Sequence, residues 1–416
     1  MRSAAAKLMY IVYYSLSLLI HPFLFLYLKF RVLKKKEHSE KYKEKLGYTK
    51  YQNNKNVIWF HVSSLGEIKS IHSLINHYQK NKKIKILITS VTLSSYEYFK
   101  KNFNTENTFH QFAPLDTPII VNRFLKNWQP KLSIFVESEL WPNMIFQSHK
   151  NSKLILLNCR ISPRSFKKWK LLKKFFFKLM SNFQIIMPQS SEAKNFLEYF
   201  NLNNIKYTGN LKFTNLEKKN PNIVRIEKGI NSWAAMSVHF NEINQIIDTH
   251  LELGKKIDTL TTFMIPRHLD RINNVLNLIN KKKIKYQRIS ENNYVKKFNG
   301  IVVVDKFGIA EDIFNSVNTV FLGGSLINHG GQNPIEPILY NCKVITGSYY
   351  FNFTEIYDDL IKKNLVTVVK DKKELIKNLF YELNNHEERN QNLLFYESGD
   401  RILKSTIELI DNYIYK

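Results

Sequence analysis

The stretch "NVIWFHVSSLGEIKSIHSLI", residues 56–75, changes character halfway along. Val57 to Val62 is a short apolar run, and Ile68, Ile71, Leu74 and Ile75 then recur at helical spacing. The first part reads as a buried strand and the second as one apolar stripe of a helix. Between them lie Ser63, Ser64, Leu65, Gly66 and Glu67, so a strand-to-helix turn ends on a carboxylate at the mouth of a sheet.

The same grammar repeats downstream. "IKILITSV", "KLSIFVE", "KLILLN" and "FQIIMP" are apolar runs, interleaved with helical patterns from about Ser94, in "NMIFQSH" and in "SSEAKNFLEYF". It restarts with "INSWAAMSVH", "DTLTTFMIP", "NGIVVVD" and "TVFLGG", separated by helices near Glu242–Leu253, from Leu269 and near Ala310. Apolar runs alternating with helices call for parallel sheets flanked by helices. The polar stretch around 214–224 contains Pro221 and reads as the linker. The expectation is therefore an α/β chain of two Rossmann-like domains facing a central cleft at the carboxyl ends of their strands.

With 416 residues the chain is long enough for two cores. Hydrophobic residues at 44% exclude global disorder, and 62 Lys and Arg against 35 Asp and Glu give a net charge of +27, which calls for an anionic partner. Nucleic acid, an acidic membrane and phosphorylated small molecules all satisfy that sign, and a solvated lysine surface satisfies it without any partner. Two cysteines, Cys159 and Cys342, are too few for a disulfide framework and suit a reducing compartment.

Leu8 to Phe30 is almost wholly apolar and approaches the ~20 residues of a membrane-spanning helix. Arg31, Lys34, Lys35 and Lys36 follow it and point to the cytoplasmic side. His21-Pro22 breaks the run, so a span and a helix lying in the membrane interface both remain open. The expected domains are a membrane anchor with its basic flank at 1–36, a first domain at 37–213, a linker at 214–224 and a second domain at 225–416.

"SLGE" fits a capping box, with Ser64 as N-cap and Glu67 reaching back. A carboxylate in the first helical turn also feels the positive end of the helix dipole and can accept a proton, so cap and base both stand. In "FVESELWPNMI", Glu137 and Glu139 are two apart, and an extended backbone would turn both to one side. Arg160 and Arg164 in "LLNCRISPRSFKKW" could clasp a phosphate or carboxylate. In "FMIPRHLDR", Arg267 is a candidate phosphate partner and His268 a hydrogen-bonding neighbour. "TVFLGGSLINHGGQNPIEP" carries two glycine pairs, Gly323-Gly324 and Gly330-Gly331, and a helix start near Pro334, which together suggest a phosphate cradle. Glu336 could receive ribose hydroxyls or pair with Asn333 as a cap. Neither nucleotide-binding glycine fingerprint occurs, and no His/Asp/Glu spacing demands a metal.

Taken in order, "WFHVSSLGE", "ESELWPN", "LLNCRISPRS", "GNLKF", "PRHLDR", "VVVDKFGIAEDIF" and "FLGGSLINHGGQNPIEP" resemble the 3-deoxy-D-manno-octulosonic acid (Kdo) transferases of lipopolysaccharide synthesis, over nearly the whole chain. The resemblance implies a GT-B fold, a CMP-Kdo donor, a lipid A precursor (lipid IVA) as acceptor and work at the cytoplasmic face of the anionic inner membrane. It implies inverting transfer without metal or cofactor. It assigns Glu67 as base and Glu137, Glu139, Arg160 and Arg164 to the acceptor side. To the donor it assigns Lys212, Arg267, His268, Gly323, Gly324, Ser325, Asn333 and Glu336. Two departures stand out: Gln332 replaces the family's usual histidine, and "SVHFNEI" keeps His239 and Glu242 without the usual glycine. The alternatives are a GT-B enzyme using a UDP-sugar and another membrane acceptor, and a membrane-associated nucleic-acid binder built on charge. Against the latter stand the paired glycines and the lack of any recognition motif, so no nucleic acid is expected as partner.

Overall fold

The computed structural model of the chain describes residues 4–51, 57–214, 223–227, 231–296, 298–385 and 391–415. It divides into two compact units, one formed by Met1–Asn215 with Ser398–Lys416 and the other by Leu216–Glu397. Of the expected linker, residues 215–222 lie outside the described residues.

The first unit opens with helix α1 (Ala4–Ile20), a 3-10 turn at His21–Phe23 and α2 (Leu24–Leu33). Strand β1 (Ile58–His61) leads into α3 (Leu65–Ser70) and α4 (His72–Gln79), and β2 (Ile86–Ser90) into α5 (Leu93–Asn102). Then come β3 (Thr108–Phe112), α6 (Pro118–Trp128), β4 (Leu132–Val136) and α7 (Pro142–Ser148). β5 (Lys153–Cys159), α8 (Pro163–Leu171), α9 (Lys173–Met180), β6 (Ile185–Pro188) and α10 (Ser191–Glu198) complete the series. The six strands are parallel, in the order β3-β2-β1-β4-β5-β6. The order reverses between β1 and β4, which is where an open α/β sheet leaves a crevice for ligands.

The sheet is buried on both faces, as a parallel sheet requires. Ile58, Phe60 and Val62 enter one core, where they meet Ile68, Ile71, Leu74 and Ile75. Val57 and Trp59 enter the other, against Phe124, Trp128 and Phe135. The stripe read from the opening segment is thus the surface that covers alternate residues of its own strand. Thr117, Ser162 and Ser190 cap α6, α8 and α10 through their hydroxyls, and prolines open α6, α7 and α8.

Helices α1 and α2 lie along this unit. Tyr10 meets Phe146 ring to ring at 4.3 Å, Tyr13 donates to Asp116, Ser17 accepts from Asn143, and His21 Nδ1 is 3.1 Å from Thr117 Oγ1. Leu24 and Leu28 pack with Leu46 and Ile120, and Arg31 pairs with Glu37 at 2.7 Å. The opposite face, with Leu8, Ile11, Val12, Leu16, Leu19, Phe23, Leu26 and Phe30, is exposed.

The second unit contains β7 (Arg225–Ile226), β8 (Asn231–Val238), α11 (Ile243–Gly254), β9 (Leu260–Pro266) and α12 (Ile272–Lys281). β10 (Tyr286–Arg288), β11 (Tyr294–Val295), β12 (Gly300–Val303), α13 (Ala310–Phe314), β13 (Thr319–Leu322) and α14 (Ile335–Leu339) follow. The series ends with β14 (Lys343–Gly347), α15 (Thr354–Lys362), β15 (Val366–Val369) and α16 (Lys372–Asn384), and α17 (Gln391–Ile414) starts in this unit and ends in the first. Seven parallel strands run β10-β12-β9-β8-β13-β14-β15, with the reversal between β8 and β13.

One boundary differs from the sequence reading, which carried the second domain to residue 416. From Ser398 the chain belongs to the first unit. Ile402, Leu403, Ile407, Ile410 and Ile414 of α17 join the core of β1 and α4. Tyr78 also donates to Asp411 at 3.0 Å, and Lys131 Nζ to the Ile414 carbonyl at 2.7 Å. Ile410, fully buried, ties the C-terminal helix to the first sheet. Ile410→Ala should cost about 2–5 kcal/mol. Hydrogen exchange should show the loss in β1 to β6 and leave β8 to β15 protected.

Candidate functional site

At the reversal in the first sheet, the ends of β1 and β4 bring three carboxylates together. Glu67 is buried in the first turn of α3. It accepts from Ser63 N at 2.6 Å, Ser63 Oγ at 2.8 Å and Ser64 Oγ at 3.1 Å, while its own N–H donates to Ser64 Oγ at 3.3 Å. The cap is real, yet it does not quench the acid. Burial raises the Glu67 carboxyl, the Ser63 hydrogen bonds oppose the shift, and the charges of Glu139 and Glu137 add to it.

Glu139 is also buried, 3.2 Å from His61 Nε2, and it accepts from Trp141 Nε1 at 2.7 Å. Burial would raise its carboxyl, but His61, Trp141 and Ser63 outweigh burial and hold it below the ordinary carboxylate range. Ser63 therefore serves both acids. Glu137 does not share the extended backbone expected of it, because β4 ends at Val136 and Glu137 takes φ +58°, a left-handed conformation that costs a non-glycine residue energy. Its side chain pairs with Lys212 at 2.8 Å. The sequence reading put Lys212 at the donor end and Glu137 on the acceptor side, and the structure pairs the two within the first unit. Asn158, itself at φ +52°, holds that segment by accepting from Leu211 N at 3.0 Å. Arg160 is exposed and tied to Glu137 through its N–H at 3.3 Å, and Arg164 is exposed in the first turn of α8.

At the reversal in the second sheet the arrangement is different. Glu242, fully buried, accepts from Gly324 N at 2.6 Å, Leu326 N at 3.0 Å, Ser325 N at 3.1 Å and His239 N at 3.2 Å. The amides expected to cradle a phosphate are occupied by a carboxylate of the protein itself. Gly323 is there for packing, since a Cβ would lie 2.7 Å from the Ser237 carbonyl, and Gly324 for its φ of +69°. Ser325 is buried and donates to the Leu322 carbonyl while accepting from Gly347 N. Asn333 accepts from Ile335 N at 3.1 Å, a local turn at the start of the short α14, and Glu336 is exposed there.

Besides Glu336, a guanidinium and imidazoles face outward around this turn. Arg267 and His268, both exposed, follow β9, and Arg267 N donates to the Val238 carbonyl at 2.9 Å. The His239 ring lies 3.9 Å from that of His329 and 6.1 Å from that of His268. His239 Nε2 is buried with no hydrogen-bond partner among the described residues. Burial, then His329, Arg267 and His268, depress its pKa to about 4, so the ring is neutral at physiological pH. His61, Ser63, Asn158 and His329 escaped the sequence reading as site residues, while His239 and Glu242 entered it only as the retained part of a departing motif. The signals were there: His61 is a polar residue inside an apolar strand run, and Glu242 stands three residues after His239, the spacing of a reciprocal cap.

Comparison with known proteins sets this geometry in context. Residues 40–215 match the family model described as 3-Deoxy-D-manno-octulosonic-acid transferase (kdotransferase). A 3-deoxy-D-manno-octulosonic acid transferase of Rickettsia bellii is 29% identical, covering 97% of this chain and 99% of the relative. That of Rickettsia prowazekii is 30% identical, covering 86% of this chain and 80% of the relative. Among solved structures, the UDP-GlcNAc 2-epimerase of Neisseria meningitidis bound to UDP-GlcNAc superposes with TM-score 0.56 at 14% identity, over 85% of this chain and 99% of that one. At that identity the likeness speaks for the fold alone, a GT-B-like α/β architecture.

Removing the Glu242 carboxylate leaves three buried donors and one part-buried donor unsatisfied. Glu242→Ala should therefore destabilise the second unit by at least about 3 kcal/mol, read from denaturant unfolding and from lost exchange protection at Gly324 to Leu326.

Proposed function

Because the chain belongs to the 3-deoxy-D-manno-octulosonic acid transferase family, we propose that it transfers Kdo from CMP-Kdo to a lipid A precursor, with inversion and with Glu67 as general base. The observation that carries this reading is the buried Glu67, whose affinity for a proton is raised at the switch point of its sheet. An acceptor hydroxyl has a high pKa, so its proton must leave as the new glycosidic bond forms. A carboxylate made more basic by burial and by two neighbouring acids is suited to take it. Ser63 and Ser64 fix its direction, while Glu139 and Glu137 are placed to hold the acceptor's remaining hydroxyls, with Lys212 and Arg160 as nearby cations.

On the donor side, the leaving group carries one phosphate diester. Arg267, His268 and His329 can take up its growing negative charge without a metal. Neutral His239, with its free buried Nε2, can donate one directed hydrogen bond to a phosphate or sugar oxygen. In this proposal the glycine turn shapes the site, held by Glu242, and the anion meets side chains.

The reading also gives the N-terminal helices a place. Their inward face is bonded to the first unit along its length, so they would lie in the plane of an anionic inner-membrane surface and dip only the exposed apolar face into it, with the cytoplasm on the protein's side. Lys34, Lys35 and Lys36 would then sit at headgroup depth.

Glu67→Gln should lower kcat by about 100-fold or more. Its melting temperature should not fall, since the charged form costs stability at every pH above its raised folded pKa and the amide removes that cost. Full transfer by this variant, followed by mass spectrometry of the products, would refute the base assignment. The acid limb of kcat/KM should lie above the ordinary carboxylate range, because rate is lost as Glu67 is protonated, and Glu139→Gln should move that limb to lower pH. CMP, and not UDP, should raise the melting temperature; the reverse would favour a UDP-sugar donor.

A further inference from the structure

Asp116, in the turn between β3 and α6, joins three elements. Its Oδ1 accepts from Met144 N at 2.7 Å, and its Oδ2 from Asn143 N at 3.1 Å and from the Tyr13 hydroxyl at 2.8 Å. Its carbonyl accepts from Asn143 Nδ2 at 2.8 Å, and that same amide donates to Ser17 Oγ at 3.1 Å. Tyr13 and Ser17 belong to α1, part of the segment long and apolar enough to cross a membrane.

Asn143 and Met144 are the second and third residues of α7, which has no side-chain cap of its own at Trp141. The open N–H groups of its first turn are satisfied by Asp116, and a carboxylate there also suits the helix dipole. α7 begins immediately after the Glu137–Glu139 turn. Trp141, the residue before its first, donates to Glu139 Oε2 at 2.7 Å, and Glu139 lies 3.2 Å from His61. Any drift in the start of α7 moves Trp141 and, with it, the acid beside Glu67.

We infer that Tyr13 is a positioning residue: through Asp116 and the first turn of α7, helix α1 sets the orientation of the Glu137–Glu139 turn and is part of the acceptor-side site as well as an anchor. The inference rests on the reading of Glu67 as base. The tyrosine hydroxyl is the donor from α1 that reaches Asp116 Oδ2. Without it, that oxygen is held by the Asn143 N–H at 3.1 Å.

The test uses the full chain in detergent with a detergent-dispersed acceptor, so that delivery to a membrane plays no part. Tyr13→Phe keeps the ring and its packing and removes only the hydroxyl. It should lower kcat by about 10-fold while leaving the acceptor KM within about twofold, the pattern of a lost alignment rather than lost binding. The acid limb of kcat/KM should move to lower pH as Glu139 retreats from Glu67, a change that general loosening of the fold would not produce. Ser17→Ala should move both readouts the same way by less. Leu16→Ser, on the exposed face of α1, should weaken sedimentation with vesicles of phosphatidylglycerol and leave kcat in detergent intact. Wild-type kcat and an unmoved limb in Tyr13→Phe, with Glu67→Gln inactive, would overturn the inference alone. An equal kcat loss in Leu16→Ser would overturn it too, by making the effect one of the helix at large. Activity retained by Glu67→Gln would instead remove the base reading on which it rests.

Discussion

Three carboxylates are forced into one low-dielectric corner at the ends of β1 and β4, and the first unit is arranged around keeping them there. Glu67, Glu137 and Glu139 are each buried, and like charges in such a place repel strongly. The fold offsets this unevenly. Glu139 receives His61, Trp141 and Ser63 and is stabilised as the anion, Glu137 receives Lys212, and Glu67 receives hydroxyls and one backbone N–H but no cation among the described residues. Glu67, which meets neither an imidazole nor an ammonium among the described residues, has its proton affinity raised by burial. Left-handed backbone at Glu137 adds local strain, and crowding and strain at one point of a fold are the physical marks of a site kept for chemistry rather than stability.

The second unit answers with the opposite polarity. The buried acid at its switch point, Glu242, is turned inward and spent on four N–H groups, while Arg267, His268 and His329 meet solvent along with Glu336. A glycosyl transfer needs a basic group for the incoming hydroxyl and positive charge for the departing phosphate. In the proposed reaction the first would come from Glu67 and the second from Arg267, His268 and His329, each in the loops at its own sheet's order reversal. The turn at Gly323-Gly324 is held by a carboxylate, and a phosphate would compete with Glu242 for the same amides.

Much of this was legible in the amino-acid sequence, for reasons that can be named. Both sheets follow from the alternation of apolar runs with helical stripes, because a strand buried on both faces must be apolar throughout. Glu67, Glu137 and Glu139 could be picked out because they stand just past such runs. What escaped was whatever depends on contacts distant in sequence. β3, with His110 and Gln111 in its middle, lacks a clean apolar run, since both side chains are buried through bonds to Ser90 and Trp128. Lys212 was assigned by its place in the chain, although its partner is 75 positions earlier, as the numbering of Lys212 and Glu137 shows. The return of α17 to the first core leaves no local mark beyond an apolar face, and an apolar face does not say which sheet it will cover.

The N-terminal helices show the same limit in a sharper form. Hydropathy alone reports a segment able to cross a membrane, and a broken run at His21-Pro22 leaves its posture open. The contacts decide what the average cannot. Residues 10, 13, 17, 21, 24, 28 and 31 recur at three- or four-residue spacing, and each touches the first unit through a ring, a hydroxyl, an imidazole, a leucine or a guanidinium. That is a single stripe running the length of the segment. A helix immersed in lipid on every side could not keep hydroxyl and imidazole bonds to an α/β unit at three successive turns. The apolar surplus is therefore confined to the remaining face, so a sequence that averages as a span builds helices that pack on the first unit along one stripe and leave one apolar face exposed.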